Sequence, residues 1–221
     1  VRLGPYLVSG GDDTVLIRRE RADDIAAIAA VHRSAFGAHD ADGEPAERTG
    51  GAPESTGTPP ESTGATSERT GAQSESDRAD PPEVDLVARL RSDPAWIPTL
   101  SMVAVEYRTV IGHVCLTRAA IGPFPVLALG PIGVVAEHQR TGVGSALMHA
   151  VLGAADALDE PLVCLLGHLD YYPQFGFVPA ARLGITPDDP SWVSHFQVRP
   201  LSAYDPRITG EFHYPEPFYE L

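Results

Sequence analysis

A chain of 221 residues, 43% of them hydrophobic, can bury one sizeable core, so a single domain spanning residues 1–221 is expected. Its formal net charge of -14 argues against nucleic acid or an anionic membrane surface as partner, and no lysine occurs anywhere in the chain. No apolar run reaches the length of a membrane span, and the opening VRLGPYLVSGGDDT has neither the apolar core nor the cleavage pattern of a signal peptide, so a cytoplasmic protein is expected.

In chain order, TVLIRRER (14–21) reads as a strand, and Asp23 or Asp24 can cap the helix DDIAAIAAVHRSAF, whose Ile25, Ile28, Ala29, His32 and Phe36 fall on one face. Residues 37–82 differ in character. They hold ten acidic residues and three arginines, half of the net charge, and place Glu47, Glu54, Glu61, Glu68 and Glu75 at intervals of seven. Between those glutamates stand Thr, Ser, Gly and Pro, which bury too little to offset chain entropy, so the segment reads as a disordered acidic insertion and not as a coiled coil. PEVDLVARLR (82–91) then reads as a short helix, and SMVAVEY with VIGHVCLTR as a hairpin turning near Arg108 and Thr109.

PVLALGPIGVV (125–135) is the next strand, interrupted at Gly130-Pro131; a central strand tolerates proline only where its ladder is broken. A helix to about residue 158, the strand PLVCLLG, a turn-rich helix around DYYPQ, and strands near GFVPA, HFQVRPL and TGEFHY complete the chain. The alternation predicts a mixed α/β fold around one sheet. Cys115 and Cys164 lie inside apolar runs and read as small buried hydrophobes; no metal site is expected.

Between strand and helix stands QRTGVGSALM (139–148). Glycines at a helix N-terminus suit an anion, because the first helical N–H groups have no intrahelical acceptor and an absent side chain lets the anion approach. A P-loop is excluded by the missing lysine, and a dinucleotide fingerprint by Leu147 in place of its third glycine. Tight packing of helix on sheet is the alternative explanation of the glycines.

Taken with its surroundings, LGPIGVVAEHQRTGVGSALM resembles the acyl-CoA-binding motif of the GNAT superfamily of N-acetyltransferases, Q/R-x-x-G-x-G/A. YPQFGF (172–177) matches the second signature of that family, a tyrosine four positions before Gly-Phe. With GHVCLTR, LLGHLDYYPQFGF and FQVRPL, the resemblance extends over residues 14–214 apart from the insertion, and is nearest to the YhbS-like branch.

The resemblance implies a GNAT-type (acyl-CoA N-acyltransferase) fold, a mixed central sheet splayed at the acyl-CoA site and flanked by helices. It implies acetyl-CoA as cosubstrate, an amine as acceptor, and room for a homodimer. The pyrophosphate would rest on the amides of Arg140, Thr141, Gly142, Val143, Gly144 and Ser145, with Gln139 opening the cofactor-binding motif, and the pantetheine arm would lie along Ile132, Gly133 and Val134. Arg140 either faces phosphate or is an ordinary solvated arginine, and His138 and His149 likewise.

Tyr172 matches the position of the family's general acid, which protonates the departing thiolate; Tyr171 is the competing candidate, expected to point elsewhere. For the base that relieves the amine of a proton, His168 ends the strand beside the splay, with a surface-loop histidine as the alternative reading; His113 and Glu106 are expected to be structural. A non-catalytic acyl-CoA-binding or sensor module is the second functional reading.

Overall fold

The computed structural model of the chain describes residues 6–10, 13–37 and 79–220; the acidic repeats fall on residues 38–78, outside the described residues. Ten strands and three α-helices are found among the described residues. The chain runs β1 (Tyr6–Gly10), β2 (Asp13–Arg19), α1 (Ile25–Phe36), α2 (Pro82–Ser92), β3 (Trp96–Glu106), β4 (Thr109–Ile121), β5 (Phe124–Val134) and α3 (Val143–Asp156). It continues with β6 (Leu162–Leu166), a 3-10 turn at Tyr172–Phe175, β7 (Val178–Pro179), β8 (Ile185–Pro187), β9 (Phe196–Pro200) and β10 (Gly210–His213).

The main sheet runs β1-β2-β3-β4-β5-β6-β9-β7, and β10 pairs with β4 and β8 at its side. It is antiparallel except where α3 crosses from β5 to β6, which makes those two strands parallel. Strand β1 was not expected from the sequence, and β2 stops at Arg19, two residues short of the expected strand.

Period-two alternation sorts the central strands between two cores. Leu127 and Leu129 of β5 and Val163 and Leu165 of β6 face α3, with Leu147, Val151 and Ala155. Val126 and Ala128, with Leu162, Cys164 and Leu166, face α2 through Leu86 and Leu90. Both faces are covered, which is why β6 reads as an unbroken apolar run. Helix α1 packs beside α2 through Ile28 and Val31 against Val103 and Val110. Ile25, expected on that buried face, is 46% exposed, because the helix only begins there, after a 3-10 turn at Ala22–Asp24.

Gly130-Pro131 performs the interruption expected of it. The β4–β5 register passes from Val114↔Ile132 to Leu116↔Leu129, so Gly130 and Pro131 together oppose Cys115 in a β-bulge, where the missing N–H of proline breaks no ladder. A Cβ on Gly130 would stand 2.6 Å from the Cys115 sulfur, so the bulge also requires glycine. Both cysteines are buried and free, and burial pushes the Cys115 thiol up to about 12, which leaves it inert. The hairpin turn sits one residue earlier than expected, at Tyr107 and Arg108, both with positive φ as a tight hairpin requires.

Candidate active site

The parallel pairing of β5 with β6 is short. It holds through Leu127↔Val163 and Ala128↔Cys164 and goes no further, although β5 continues to Val134 and β6 to Leu166. The strands therefore part just before the Gly130-Pro131 bulge. Beyond it, β5 stays paired to β4 through Ile132, Gly133 and Val134.

From Val134 the chain enters a 3-10 turn at Ala136–His138 and then the glycine turn. Ser34 of α1 accepts the Ala136 N–H at 3.1 Å, the Thr141 hydroxyl donates to the His138 carbonyl at 2.7 Å, and the Gln139 amide donates to the Val134 carbonyl at 3.1 Å. Gln139 thereby engages one of the strand carbonyls that the sequence reading reserved for a ligand. Arg140 (φ 61°) and Gly142 (φ 95°) are both left-handed, and Gly142 is the N-cap of α3. A Cβ on Gly142 would meet nothing within 4 Å, so the space in front of the helix is open. Gln139, Arg140, Thr141 and Gly142 are exposed, Gly144 and Ser145 are half-buried, and the Val143 side chain is core. These residues fit an anionic group: open space, a helix N-terminus, and an exposed guanidinium beside it.

The two tyrosines diverge because Pro173 holds the segment in a 3-10 turn, which sends consecutive side chains about a third of a revolution apart. Their rings meet edge to face at 5.1 Å. Tyr172 is completely buried against the end of β6: a Cβ on Gly167 would lie 2.3 Å from its ring, and Phe177 packs on it edge to face at 5.7 Å. Tyr171 does not point away from the site as expected. Its hydroxyl stands 3.2 Å from where a Gly144 Cβ would be, over the first turn of α3. His168 is exposed one residue beyond Gly167, and its carbonyl accepts from Gln197 at 3.4 Å. His138 pairs with Glu106 at 3.0 Å, and the His149 ring packs on Phe175.

On the α1 side of β5 the structure assembles a buried polar chain that the sequence reading did not. Glu20, Ser101, His113 and His32 come from the end of β2, from β3, β4 and α1. His32 Nε2 lies 2.9 Å from His113 Nδ1, and His113 Nε2 lies 3.0 Å from Ser101 Oγ. The Ser101 hydroxyl hydrogen-bonds Glu20, and Arg91 of α2 donates to Glu20 at 2.7 Å. Both histidines and Ser101 are 0% exposed. Burial pushes the Glu20 carboxyl up, but the hydrogen bonds from His113, Arg91 and Ser101 outweigh it and bring it down to about 2. Burial holds His32 well below the ordinary imidazole range, with His113 and Arg91 adding to the effect, and it lowers His113 against the pull of Glu20. The available signal was a histidine at a buried position of each apolar pattern, His32 among Ile28, Val31 and Phe36, and His113 within VIGHVCL.

The acetyltransferase (GNAT) family model matches residues 72–177. An uncharacterised N-acetyltransferase of Escherichia coli K12, YjhQ, is 36% identical over 103 residues, which are 45% of this chain and 57% of that protein. Among solved structures, YhbS of Escherichia coli, a GNAT family N-acetyltransferase in complex with CoA, superposes with a TM-score of 0.69 at 23% identity, covering 96% of each chain. A GNAT family acetyltransferase of Brucella melitensis, in complex with acetyl-CoA, gives a TM-score of 0.61 at 24% identity, covering 92% of this chain and 97% of that one. At these identities the two structures speak to the fold, which is the GNAT fold, a mixed many-stranded sheet flanked by helices. The family-model match, the curated relative, of whose length this chain spans little more than half, and the fold agree on what the chain is similar to: the GNAT acetyltransferases.

Proposed function

We propose that this chain transfers the acetyl group of acetyl-CoA to the primary amine of a small molecule or protein, acting in the cytoplasm, with a homodimer as the assembly to test. One observation carries the reading: β5 and β6 part after Ala128↔Cys164, and the opening is bounded by the open glycine turn of α3 on one strand and by Tyr172 on the other. The relatives with the same fold were solved with CoA and acetyl-CoA, which supports the same cosubstrate here.

In this reading acetyl-CoA brings the thioester, and the protein holds and polarises it. The first helical amides of α3, at Val143, Gly144 and Ser145, face the pyrophosphate together with Arg140, and the Tyr171 hydroxyl over Gly144 closes the same turn. Ile132, Gly133 and Val134 supply the strand along which the pantetheine arm lies. The Tyr172 hydroxyl gives a proton to the departing sulfur, since a phenol is both a donor and an acceptor. His168, on the exposed lip beside Gly167, is the candidate that the sequence offers for taking the proton of the amine.

The test is thiol release from acetyl-CoA over a panel of polyamines, amino acids, aminoglycosides and peptides, with Tyr172→Phe run beside the parent. Turnover by the parent and a loss of about 10²- to 10⁴-fold in the variant, with acetyl-CoA affinity changed no more than a few fold, is the expected result. Acetyl-CoA binding without turnover of any amine would instead favour a sensor module.

A further inference from the structure

Hydrogen-bond directions in the buried chain can be assigned from its charged end. Glu20 is a carboxylate and accepts only, so the Ser101 hydroxyl spends its hydrogen on Glu20 and turns a lone pair to His113. His113 Nε2 therefore carries the proton and donates to Ser101, and His113 Nδ1 is the acceptor. His32 Nε2 donates to His113 Nδ1, which leaves His32 Nδ1 as a bare basic nitrogen. The opposite tautomers would set a serine lone pair against the carboxylate.

That nitrogen is buried, and among the described residues it has no hydrogen-bond partner. A buried acceptor left without a donor is costly and calls for an explanation. It points at Gly133, the β5 residue paired with His113 on the same face: a Cβ there would lie 2.9 Å from His32 Nδ1. Only glycine at 133 lets the imidazole reach the backbone of the strand that bounds the splay. Leu147 and Val143 of α3 press on the opposite face at Gly112, so His32 approaches β5 from the side away from the cofactor turn.

Resting on the acetyltransfer reading above, we propose that the chain Glu20–Ser101–His113–His32 is the proton acceptor for the ammonium form of the amine, and that His32 Nδ1 is the atom that receives the proton through one water. Of the two protons the nitrogen gives up in becoming an amide, one passes to His32 and later to solvent. The amine lone pair forms the C–N bond at the thioester carbonyl, the C–S bond breaks, and the sulfur takes the Tyr172 proton, which the second N–H proton replaces. Ser101, His113 and Glu20 position His32: they fix its tautomer and place a negative charge at the far end of the chain. The charged and titratable groups acting on the pair are Glu20 after β2, Asp24 ahead of α1, and Arg91 from α2; Arg91 opposes protonation and the two carboxylates favour it.

The experiment is the pH profile of kcat/KM for an aliphatic amine with the parent, His32→Gln and Glu20→Gln. With a working acceptor the parent profile is flat from near neutrality to the amine's own pKa, about 10. His32→Gln is expected to lose about 10²- to 10³-fold at pH 7 and to recover about tenfold per pH unit, since only free amine then reacts. Glu20→Gln is expected to lower kcat with little change in amine KM, and nitrogen-15 spectra of labelled histidine should show its His32 Nδ1 partly protonated. If a variant fails to fold, the parent alone decides: a parent profile rising with unit slope up to the amine pKa, or a His32 protonated at Nδ1, overturns the proposal. A flat profile that His168→Gln abolishes and His32→Gln preserves overturns it too, in favour of His168. No thiol release by the parent with any amine removes the acetyltransfer reading and the relay together, whereas turnover with the wrong profile removes the relay alone.

Discussion

Two histidines at 0% exposure with lowered pKa values make stability fall with acidity in a window where few other groups titrate. In the unfolded chain each titrates near 6.5, whereas in the fold each stays neutral to lower pH. Between those limits the unfolded state binds more protons, so stability is complete above about pH 6.5 and drains away as pH drops below it. A histidine that stayed neutral in the fold throughout would lose on the order of 1 kcal/mol between pH 7.5 and 5.5, so the pair sets a ceiling of about 3 kcal/mol. Glu20 acts in the same sense, but its contribution drains only as pH falls from 4.5 toward about 2, outside that range. For a chain of this size that ceiling corresponds to roughly 6–12 °C in melting temperature. Thermal and urea melts at pH 7.5, 6.5 and 5.5 measure it, and His32→Gln should reduce the pH dependence. A melting temperature constant to within a degree across the range would refute the argument, because it would mean that the buried imidazoles take up protons in the fold as readily as in the unfolded chain.

Gly142→Glu should abolish acetyl-CoA binding, read by calorimetry, while the protein still folds: the side chain would enter the open space before α3 with a negative charge, although the left-handed φ of 95° adds a local strain of about 1–3 kcal/mol. Gly167→Ala should displace Tyr172, since the new carbon would lie 2.3 Å from its ring; a loss of about 1–3 kcal/mol by denaturant melt and a fall in turnover resembling that of Tyr172→Phe are expected, and unchanged turnover would argue that Tyr172 does not act from this position.

Much of the architecture was legible because local patterns record which side of an element is buried. The unbroken apolar runs of PVLALGPIGVV and PLVCLLG mark strands covered on both faces, and Gly130-Pro131 marks the break in the ladder, since proline has no N–H to give. The glycine turn was legible for the same reason: a positive φ at the N-cap of α3 is a local demand that Gly142 meets locally. Spacing also identified the second signature, but not the directions of its two tyrosines, which the 3-10 turn imposed by Pro173 and the gap at Gly167 decided.

The buried relay lay beyond the sequence altogether. Among Glu20, His32, Ser101 and His113 the hydrogen-bonded partners lie as many as 81 positions apart, and each taken alone is an ordinary residue of its element: a strand end, a helix face, two strand interiors. Hydrophobic periodicity says that His32 and His113 are inside. It cannot say that they face each other, because the meeting depends on the α1 crossing over β4 and β5, and that approach is set by Gly133 having no side chain. Burial is written along the chain with the period of its own element, whereas the convergence of polar groups is a property of packing, and packing exists only once distant elements have met.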